Sequence, residues 1–432
     1  MLRFFLPLLY RHERALYILP MNRKKTPEAS EIADIAIVGG GLAGLALAAL
    51  LGEGGADVLC LDRDPPVAQL KPGFDGRTTA ISFGSRQILE QAGVWPGLET
   101  AGQGACPIET IHILDGRTKG PPLVFNSGEV GGRAFGWIVE NADFRRCLQQ
   151  RVAALPSVRH LAPATVASFD IGKDSVTIET PEGFHQARVV IGADGRNSFV
   201  REWMGVGSRG WSYRQQAVIC TIVHEHPHNH IAVEHFRSEG PFAILPMADD
   251  AQGRHRSSVV WTADAGRDSP LDWPQPVFEA GLAARFPAWY GKVGLAGPRF
   301  AHPLSLNHAH RYIGPRMALV ADAAHAIHPI AGQGLNLGFR DIAALAPLLL
   351  DAIRDHRDPG SPDVLDRYQR LRRVDNMAMA GATDQLNRLF SNEGLTVSLA
   401  RRAGMKAVGR LPFAKRFFMS QAMGLGRSAT GK

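Results

Sequence analysis

The sequence predicts an α/β protein: a Rossmann-like domain interleaved with a mostly antiparallel β-sheet domain, plus C-terminal helices. Three observations predict it. The apolar run Ile35 to Val38 enters Gly39-Gly40-Gly41-Leu42-Ala43-Gly44, a helix pattern follows, and a strand pattern from Val58 to Leu61 finishes on Asp62. Two later apolar runs, Val189 to Ala193 and Met317 to Val320, also end beside an aspartate, Asp194 and Asp322. Between them, residues 206–299 change to short alternating patterns suited to antiparallel strands.

Composition sets the outer bounds. A chain of 432 residues is too long for one small core, so two domains are expected. No run of about 18 apolar residues occurs, which argues against a membrane-spanning helix. The cysteines, Cys60, Cys106, Cys147 and Cys220, form no CxxC pair, and the simplest account is a reducing compartment with no disulfide framework. The net charge of +7 is unevenly placed. Residues 401–432 carry eight basic and no acidic residues, and residues 1–25 carry six basic residues against Glu13 alone. Basic ends on an acidic body argue against a nucleic-acid-binding core and suit an anionic membrane surface.

In chain order, residues 1–33 are expected to be an extension outside the fold. Its apolar run contains Pro7, no small-residue cleavage site follows, and Met21 offers a second start. The strand–glycine loop–helix–strand–acid order over residues 35–62 is a dinucleotide fingerprint: the glycines admit a pyrophosphate and the acid binds a ribose hydroxyl. Asp75-Gly76-Arg77 forms an expected turn, with a helix pattern running on to about Gly93. Ile108 to Val130 alternates like strands of a second layer, and Asn141 to Val152 has a helical pattern. Asp194-Gly195-Arg196 is expected to turn beside a ligand. Strands are expected at Val218 to Val223, Ile231 to Phe236, Ala243 to Pro246 and Ser257 to Trp261. His224, His226, His228 and His230 alternate as metal ligands on one strand face would, but Pro227 favours an exposed edge or turn. From Arg316 to Asp341 a strand, Asp322, a loop with Pro329, Gly332 and Gly334, and a helix start at Asn336 make a cofactor seat. That helix runs through Ala343 to Ile353, and helical patterns resume from Leu365. Phe413, Phe417, Phe418 and Met419, interleaved with Lys415 and Arg416, form a basic amphipathic pattern.

Taken together these motifs resemble the single-component flavoprotein aromatic hydroxylases, of the para-hydroxybenzoate hydroxylase type. Within them they look most like the ubiquinone-biosynthesis hydroxylases. His328-Pro329-Ile330-Ala331-Gly332-Gln333-Gly334-Leu335-Asn336-Leu337-Gly338 with Asp341 is similar to that family's signature, as are Asp75 to Ala80 and Gly240-Pro241 with Leu245-Pro246. The resemblance implies FAD as cofactor and NAD(P)H as a transient co-substrate. Gly39, Gly41 and Gly44 would take the pyrophosphate, Asp62 the adenosine ribose, and Asp194 and Gly195 a motif serving both FAD and NAD(P)H. Asp322 would bind the ribityl chain, Leu335 and Asn336 would offer backbone groups to the flavin ring, and Arg77 and Asn141 match further flavin-contacting positions. One departure stands out: Ala321 replaces the glycine the family usually has there, so its methyl is expected to crowd the ribityl chain or force a backbone shift.

The resemblance also implies an organisation and an activity. The expected FAD-binding domain comprises residues 34–104, 131–205 and 300–365. A substrate-binding sheet domain takes 105–130 and 206–299, and helices occupy 366–432. The expected reaction uses NAD(P)H and O2 to hydroxylate the ring of a polyprenylated phenol, such as 2-polyprenyl-6-methoxyphenol, in ubiquinone biosynthesis. The bound flavin carries that chemistry, so no metal is expected and no catalytic base can be named from sequence. Expected partners are the prenylated phenol, O2, a membrane surface, a ubiquinone-biosynthesis complex and a second copy of the chain, with no nucleic acid. The expected place is cytoplasmic, peripheral at the inner face of the membrane. Two rival readings remain open: a hydroxylase of a small soluble aromatic acid, and a non-catalytic flavin-bound subunit of a biosynthetic complex.

Overall fold

Four parallel strand ends meet in one row, and the rest of the α/β half is arranged around them. The computed structural model describes residues 31–71, 77–116, 121–237, 239–266, 268–327, 332–390, 404–405 and 407–425. Almost all of the expected extension, Asp75, Gly76, His328 and Pro329 lie outside the described residues. Ala33–Val38 pairs in parallel with Val58–Leu61 on one side and Gly183–Gly192 on the other, and the latter pairs in parallel with Met317–Leu319. Register sets Val38 beside Leu61 and Gly192, and Gly192 beside Leu319. The turns bearing Gly39, Asp62, Asp194 and Asp322 therefore leave from a single edge. That is where open α/β sheets bind their ligands.

Strands Val58–Leu61 and Ala33–Val38 are buried on both faces, which is why they read as continuous apolar runs. Val158–Leu161 extends the sheet in parallel, and the hairpin Ser168–Ile171 with Val176–Thr180 adds antiparallel strands. The helix Leu42–Glu53 packs between Asn141–Ala153 and Gln333–Arg354.

A second, nine-stranded sheet is antiparallel at every described pairing except one: Ile231–Arg237 runs parallel to Thr110–Asp115. Its spine is Ser208–His224, a strand of 17 residues of which the sequence pattern marks only the middle. Two expected domain boundaries shift. Phe300–Ala309 pairs with that spine, so residue 300 falls inside this sheet. Cys106–Ile108 belongs instead to a three-stranded sheet with Gly136–Glu140 and Thr78–Ser82. The last of these is a strand where a helix pattern is expected. Its Thr-Thr-Ala-Ile-Ser sequence pairs along Gly136–Glu140, and the helix Phe83–Gln91 begins only after Ser82 caps it.

The four histidines do not share a strand face. His224 ends the long strand, and His226 to His230 lie in the turn that follows. Its Nδ1 and Nε2 are held by the His226 carbonyl and Ser257 Oγ. Among the described residues no group of three or more His, Cys, Asp or Glu could hold a metal ion. All four cysteines are buried and unbridged. No helix among the described residues is long and apolar enough to cross a membrane.

Helix Pro362–Phe390 is locked to the sheet edge through Asp341, which is fully buried on helix Gln333–Arg354. Its Oδ1 accepts from Arg372 Nε at 2.9 Å and Asn376 Nδ2 at 3.0 Å. Its Oδ2 lies 2.5 Å from His325 Nε2 and accepts the Ala321 N–H at 3.0 Å. Burial by itself would raise this carboxyl, but the charges and donors of His325, Arg372 and Asn376 outweigh it and hold it at about 2. Replacing Asp341 with Asn should cost about 3–5 kcal/mol, because buried Arg372 loses its counter-charge. The measurement is the chemical-denaturation midpoint, and an unchanged midpoint would show that the helix is anchored elsewhere.

Candidate functional site

The first turn is shaped by what its glycines lack. Gly39 has φ +108°, and a Cβ there would lie 2.5 Å from the Ala193 carbonyl oxygen. A Cβ on Gly44 would lie 1.8 Å from the Gly39 carbonyl oxygen, so that glycine allows helix and strand to touch. Gly41 is different: nothing lies within 4 Å of its absent Cβ. It is also the N-cap of Leu42–Glu53, which has no side-chain cap and no acidic residue in its first turn. A helix start with open N–H groups and an unfilled approach suits an anionic phosphate.

Asp62 closes the next strand and is 7% exposed. Its Oδ2 accepts from Gln69 Nε2 at 2.8 Å and its Oδ1 from the Asp64 N–H at 3.1 Å. The other end of that amide, Gln69 Oε1, is buried with no hydrogen-bond partner among the described residues. A ribose hydroxyl set between Gln69 and Asp62 would satisfy it. No sequence signal marks Gln69, which lies in a four-residue helix beyond the fingerprint.

The second turn has a different internal logic. Asp194 accepts from the Ser198 hydroxyl and from the Val200 N–H at 3.0 Å, so its carboxylate holds the start of helix Phe199–Trp203. The open position is its neighbour Gly195, at φ +81° with nothing within 4 Å of an added Cβ. Arg201 bolts this turn to the third, donating to the Ala323 carbonyl at 2.8 Å and the Arg196 carbonyl at 2.6 Å. Arg196 in turn donates to Asp322 Oδ2 at 3.4 Å, leaving that aspartate's side chain 43% exposed.

The third turn faces helix Gln333–Arg354, which begins three residues earlier than the sequence pattern suggests. Gly334, Leu335 and Asn336 thus lie in its first turn, not in a loop. Gly332 is its N-cap at φ +63°, without a side-chain cap, and Gly334 has nothing within 4 Å of an added Cβ. The Asn336 side chain is fully used within the protein. It donates to the Ala80 and Gly332 carbonyls and accepts from the Ser82 N–H at 2.9 Å and Ser85 Oγ at 2.7 Å. It braces strand Thr78–Ser82 against the helix start. The strand's other end meets Asn141, whose N–H donates to the Arg77 carbonyl at 3.0 Å and whose Oδ1 accepts from Thr79 Oγ1. His325 proves to be framework, bound to Asp341.

The Ala321 methyl does not point toward the cradle. A Cβ on Gly338 would lie 2.7 Å from it, so it packs against helix Gln333–Arg354. That contact seats the methyl on the framework helix. With Gly41, Gly195 and Gly334 open, two uncapped helix starts and the unpartnered Gln69 acceptor, the edge fits an extended dinucleotide.

Comparison with known proteins agrees. A family profile described as an FAD binding domain matches residues 32–382. The protein named ubiquinone hydroxylase UbiL of Rhodospirillum rubrum is 43% identical, over 92% of this chain and 91% of that protein. The 3-demethoxyubiquinol 3-hydroxylase of Escherichia coli is 34% identical, over 91% of this chain and 98% of that protein. The chain belongs to the ubiquinone-biosynthesis hydroxylase family of FAD-dependent aromatic monooxygenases. Its fold is also that of the p-nitrophenol 4-monooxygenase PnpA of Pseudomonas putida, with a TM-score of 0.74 at 21% identity, covering 91% of this chain and 98% of that one.

Two glycines of this FAD-binding fold separate binding from folding. Gly41→Ala should leave apoprotein stability within about 0.5 kcal/mol, while its methyl weakens FAD binding roughly 10-fold, about 1.4 kcal/mol. Gly44→Ala should instead destabilise the apoprotein itself. Flavin-fluorescence titration beside apoprotein denaturation checks both, and equal behaviour of the two variants would refute the assignment of Gly41 to the open face.

Proposed function

We propose that this protein is an FAD-dependent monooxygenase that uses NAD(P)H and O2 to hydroxylate the ring of a polyprenylated phenol in ubiquinone biosynthesis. The observation that carries the reading is the gathering of three turns, each with an open glycine or an available carboxylate, at one sheet edge. The relatives' names supply the substrate class. When bound, FAD supplies hydride acceptance from NAD(P)H and activation of O2. The chain's own residues bind and orient. Gly39, Gly41 and Gly44 with the first helix start would hold the pyrophosphate, and Asp62 with Gln69 the adenosine ribose. Asp322, steadied by Arg196, would hold the ribityl chain. Gly195 gives close backbone approach, and Asp194 keeps its turn in shape. Leu335 and Asn336 would offer first-turn N–H groups to the ring, with Gly332 and Gly334 keeping that approach clear and Arg77 and Asn141 near it. The parallel sheet and its helices would form the FAD domain, and the nine-stranded sheet would cover the substrate.

Purified protein should bind FAD and couple NADPH oxidation to hydroxylation of a 2-polyprenyl-6-methoxyphenol, with little product from 4-hydroxybenzoate. Coupled hydroxylation of the benzoate alone would sink the ubiquinone reading and favour a soluble aromatic acid.

A prenyl tail resides in the bilayer, and the reading extends to peripheral contact at the inner membrane face. Support comes from helix Pro412–Ala422, which buries Met419 and leaves Phe413, Phe417 and Phe418 at 72%, 58% and 46% exposure. Lys415 is tied to Glu129, which holds this helix on the body. Aromatic side chains beside a basic tail are what an interfacial helix needs. Flotation with anionic vesicles should fall at least about 10-fold when the three phenylalanines become serine. Undiminished flotation would exclude this helix as the contact.

A further inference from the structure

The nine-stranded sheet has one sealed face and one partly open face, and the second carries Glu234 on an interior strand. Register places His112, Val233, Ile244, Val259 and Cys220 in one row on one face. Val233, Ile244, Val259 and Cys220 are at most 1% exposed, beneath Phe278 and Leu282 of helix Gln275–Ala283. The adjacent row on the other face is Ile113, Glu234, Ala243, Val260 and Ile219. Here Ile113, Glu234 and Val260 keep accessible surface, although Glu234 lies on an interior strand. Ala243 and Ile219 of this row are 9% exposed, so the accessible surface is confined to a narrow cleft at Ile113, Glu234 and Val260.

That cleft looks onto the flavin-ring side of the cradle. Ser258, which shares the open face with Leu245, accepts from Thr78 Oγ1 at 2.8 Å. Leu245 packs in one cluster with Ala80 and Phe83. Ala80 is the residue whose carbonyl receives the Asn336 amide, and whose Cβ would lie 3.0 Å from a Cβ on Gly332. The face that bears Glu234 therefore meets strand Thr78–Ser82 at Leu245 and Ser258, one row from Glu234, and that strand meets the first turn of helix Gln333–Arg354. A ring held between them would have apolar walls of Ile113, Ala243 and Val260 and one ionisable group.

Glu234 makes no hydrogen bond or ion pair among the described residues. Three other carboxylates are committed within the protein: Asp341 to four donors, Asp194 to its turn, Glu140 to Arg256. A carboxyl placed in an apolar cleft without a partner has an unexplained cost unless a ligand supplies the partner. We propose that Glu234 is the general base for the phenolic substrate, accepting the proton of the ring hydroxyl in the cleft between the nine-stranded sheet and the flavin-ring side.

The proposal rests on the hydroxylase reading. In the step, the phenolic O–H bond breaks, its electron pair stays on the ring oxygen, and the proton passes to the Glu234 carboxylate. The ring carbons ortho and para to that oxygen become more electron-rich, as an electrophilic oxygen acceptor requires. Once the oxygen atom is on the ring carbon, that carbon's C–H bond breaks, its electron pair restores aromaticity and its proton leaves to water, while the proton held by Glu234 returns to the ring oxygen, so the carboxylate is regenerated. Burial pushes the Glu234 carboxyl up to about 7, with no contribution from a neighbouring charge. A base is most effective with its pKa near the working pH. The charged groups that register places on this face are Asp115 one row away, Arg256 on the strand beyond Leu245, and Asp264 and His302 toward the far edge. Across from it, Arg77 precedes the facing strand, and Met405 packs on Ile113 and Phe236 of this face.

The test uses the FAD-loaded enzyme with a short-chain 2-prenylphenol. Wild-type hydroxylation should fall as pH drops through about 7, because protonated Glu234 cannot accept the proton. Glu234→Gln should keep its flavin spectrum and NAD(P)H oxidation, and lose about 10²-fold or more in kcat for hydroxylated product. Its acid limb should vanish, and a fluorinated, more acidic prenylphenol should recover part of the loss. The raised carboxyl destabilises the fold above pH 7 and not below about 4, so Glu234→Gln should be the more stable protein only at the higher pH. Product formation by Glu234→Gln at the wild-type rate and pH profile would overturn the proposal. So would a flat wild-type profile between pH 6 and 8, whatever the variant does. Wild-type enzyme that binds FAD but yields no hydroxylated prenylphenol would overturn the functional reading itself.

Discussion

A buried carboxylate that belongs to no ligand, Asp341, decides where the ligand-facing parts stand. Removing a carboxylate from water is expensive, and it survives ionised at zero exposure because four donors converge on it. Those donors come from the turn after the fourth parallel strand, from the short strand bearing His325, and from helix Pro362–Phe390. Asp341 itself rides on the helix whose first turn faces the cradle. One interaction thus sets the distance between Asp322 and the Gly332–Asn336 turn, the two features proposed to hold different parts of the cofactor. Tyr368 adds to it by donating to the Leu319 carbonyl at 2.8 Å, which fixes the strand end from behind.

Residues 35–62 were legible because their information is local. A buried parallel strand, three glycines with separate steric duties and an acid at the next strand end all fall within thirty residues, and each residue type has a single physical reason. Strand Thr78–Ser82 was not legible. It is held by antiparallel pairing to Gly136–Glu140, more than fifty residues away, and a five-residue stretch flowing into a helix has too little period of its own. The same holds for the parallel pairing of Ile231–Arg237 with Thr110–Asp115, which no alternation pattern distinguishes from an antiparallel one. The candidate site divides along similar lines. The glycines announce themselves by spacing, whereas Gln69, Arg201 and the bracing role of the Asn336 side chain depend on partners that only folding supplies.

The three aspartates at strand ends look alike in sequence and differ in work. Asp62 sits beside an amide with an unmet acceptor, Asp322 keeps almost half its side chain exposed, and Asp194 is spent on the helix that follows it. A carboxylate at a strand end marks a turn that matters, without saying whether the carboxylate or the turn does the binding. Geometry separates them by what each carboxylate already holds: Ser198 and Val200 tie both Asp194 oxygens to the start of the following helix, whereas Asp62 holds an amide whose own acceptor is unmet among the described residues. The open Gly195 beside it then becomes the group that a cofactor can approach.

Ala321 shows how the network at Asp341 and the cradle depend on each other. Its φ of +52° lies in the left-handed region, which costs a non-glycine residue about 1–2 kcal/mol. Glycine would avoid that strain, so something must hold the backbone there against it. The Ala321 N–H is held by Asp341 at 3.0 Å, and the methyl is seated against Gly338, the one kind of residue that leaves room for it. The alanine and Gly338 are thus a matched pair across a close strand–helix contact. A methyl that fills the space above Gly338 is part of the strand–helix contact, so the departure from glycine falls on the framework that holds Asp322 and the helix start together.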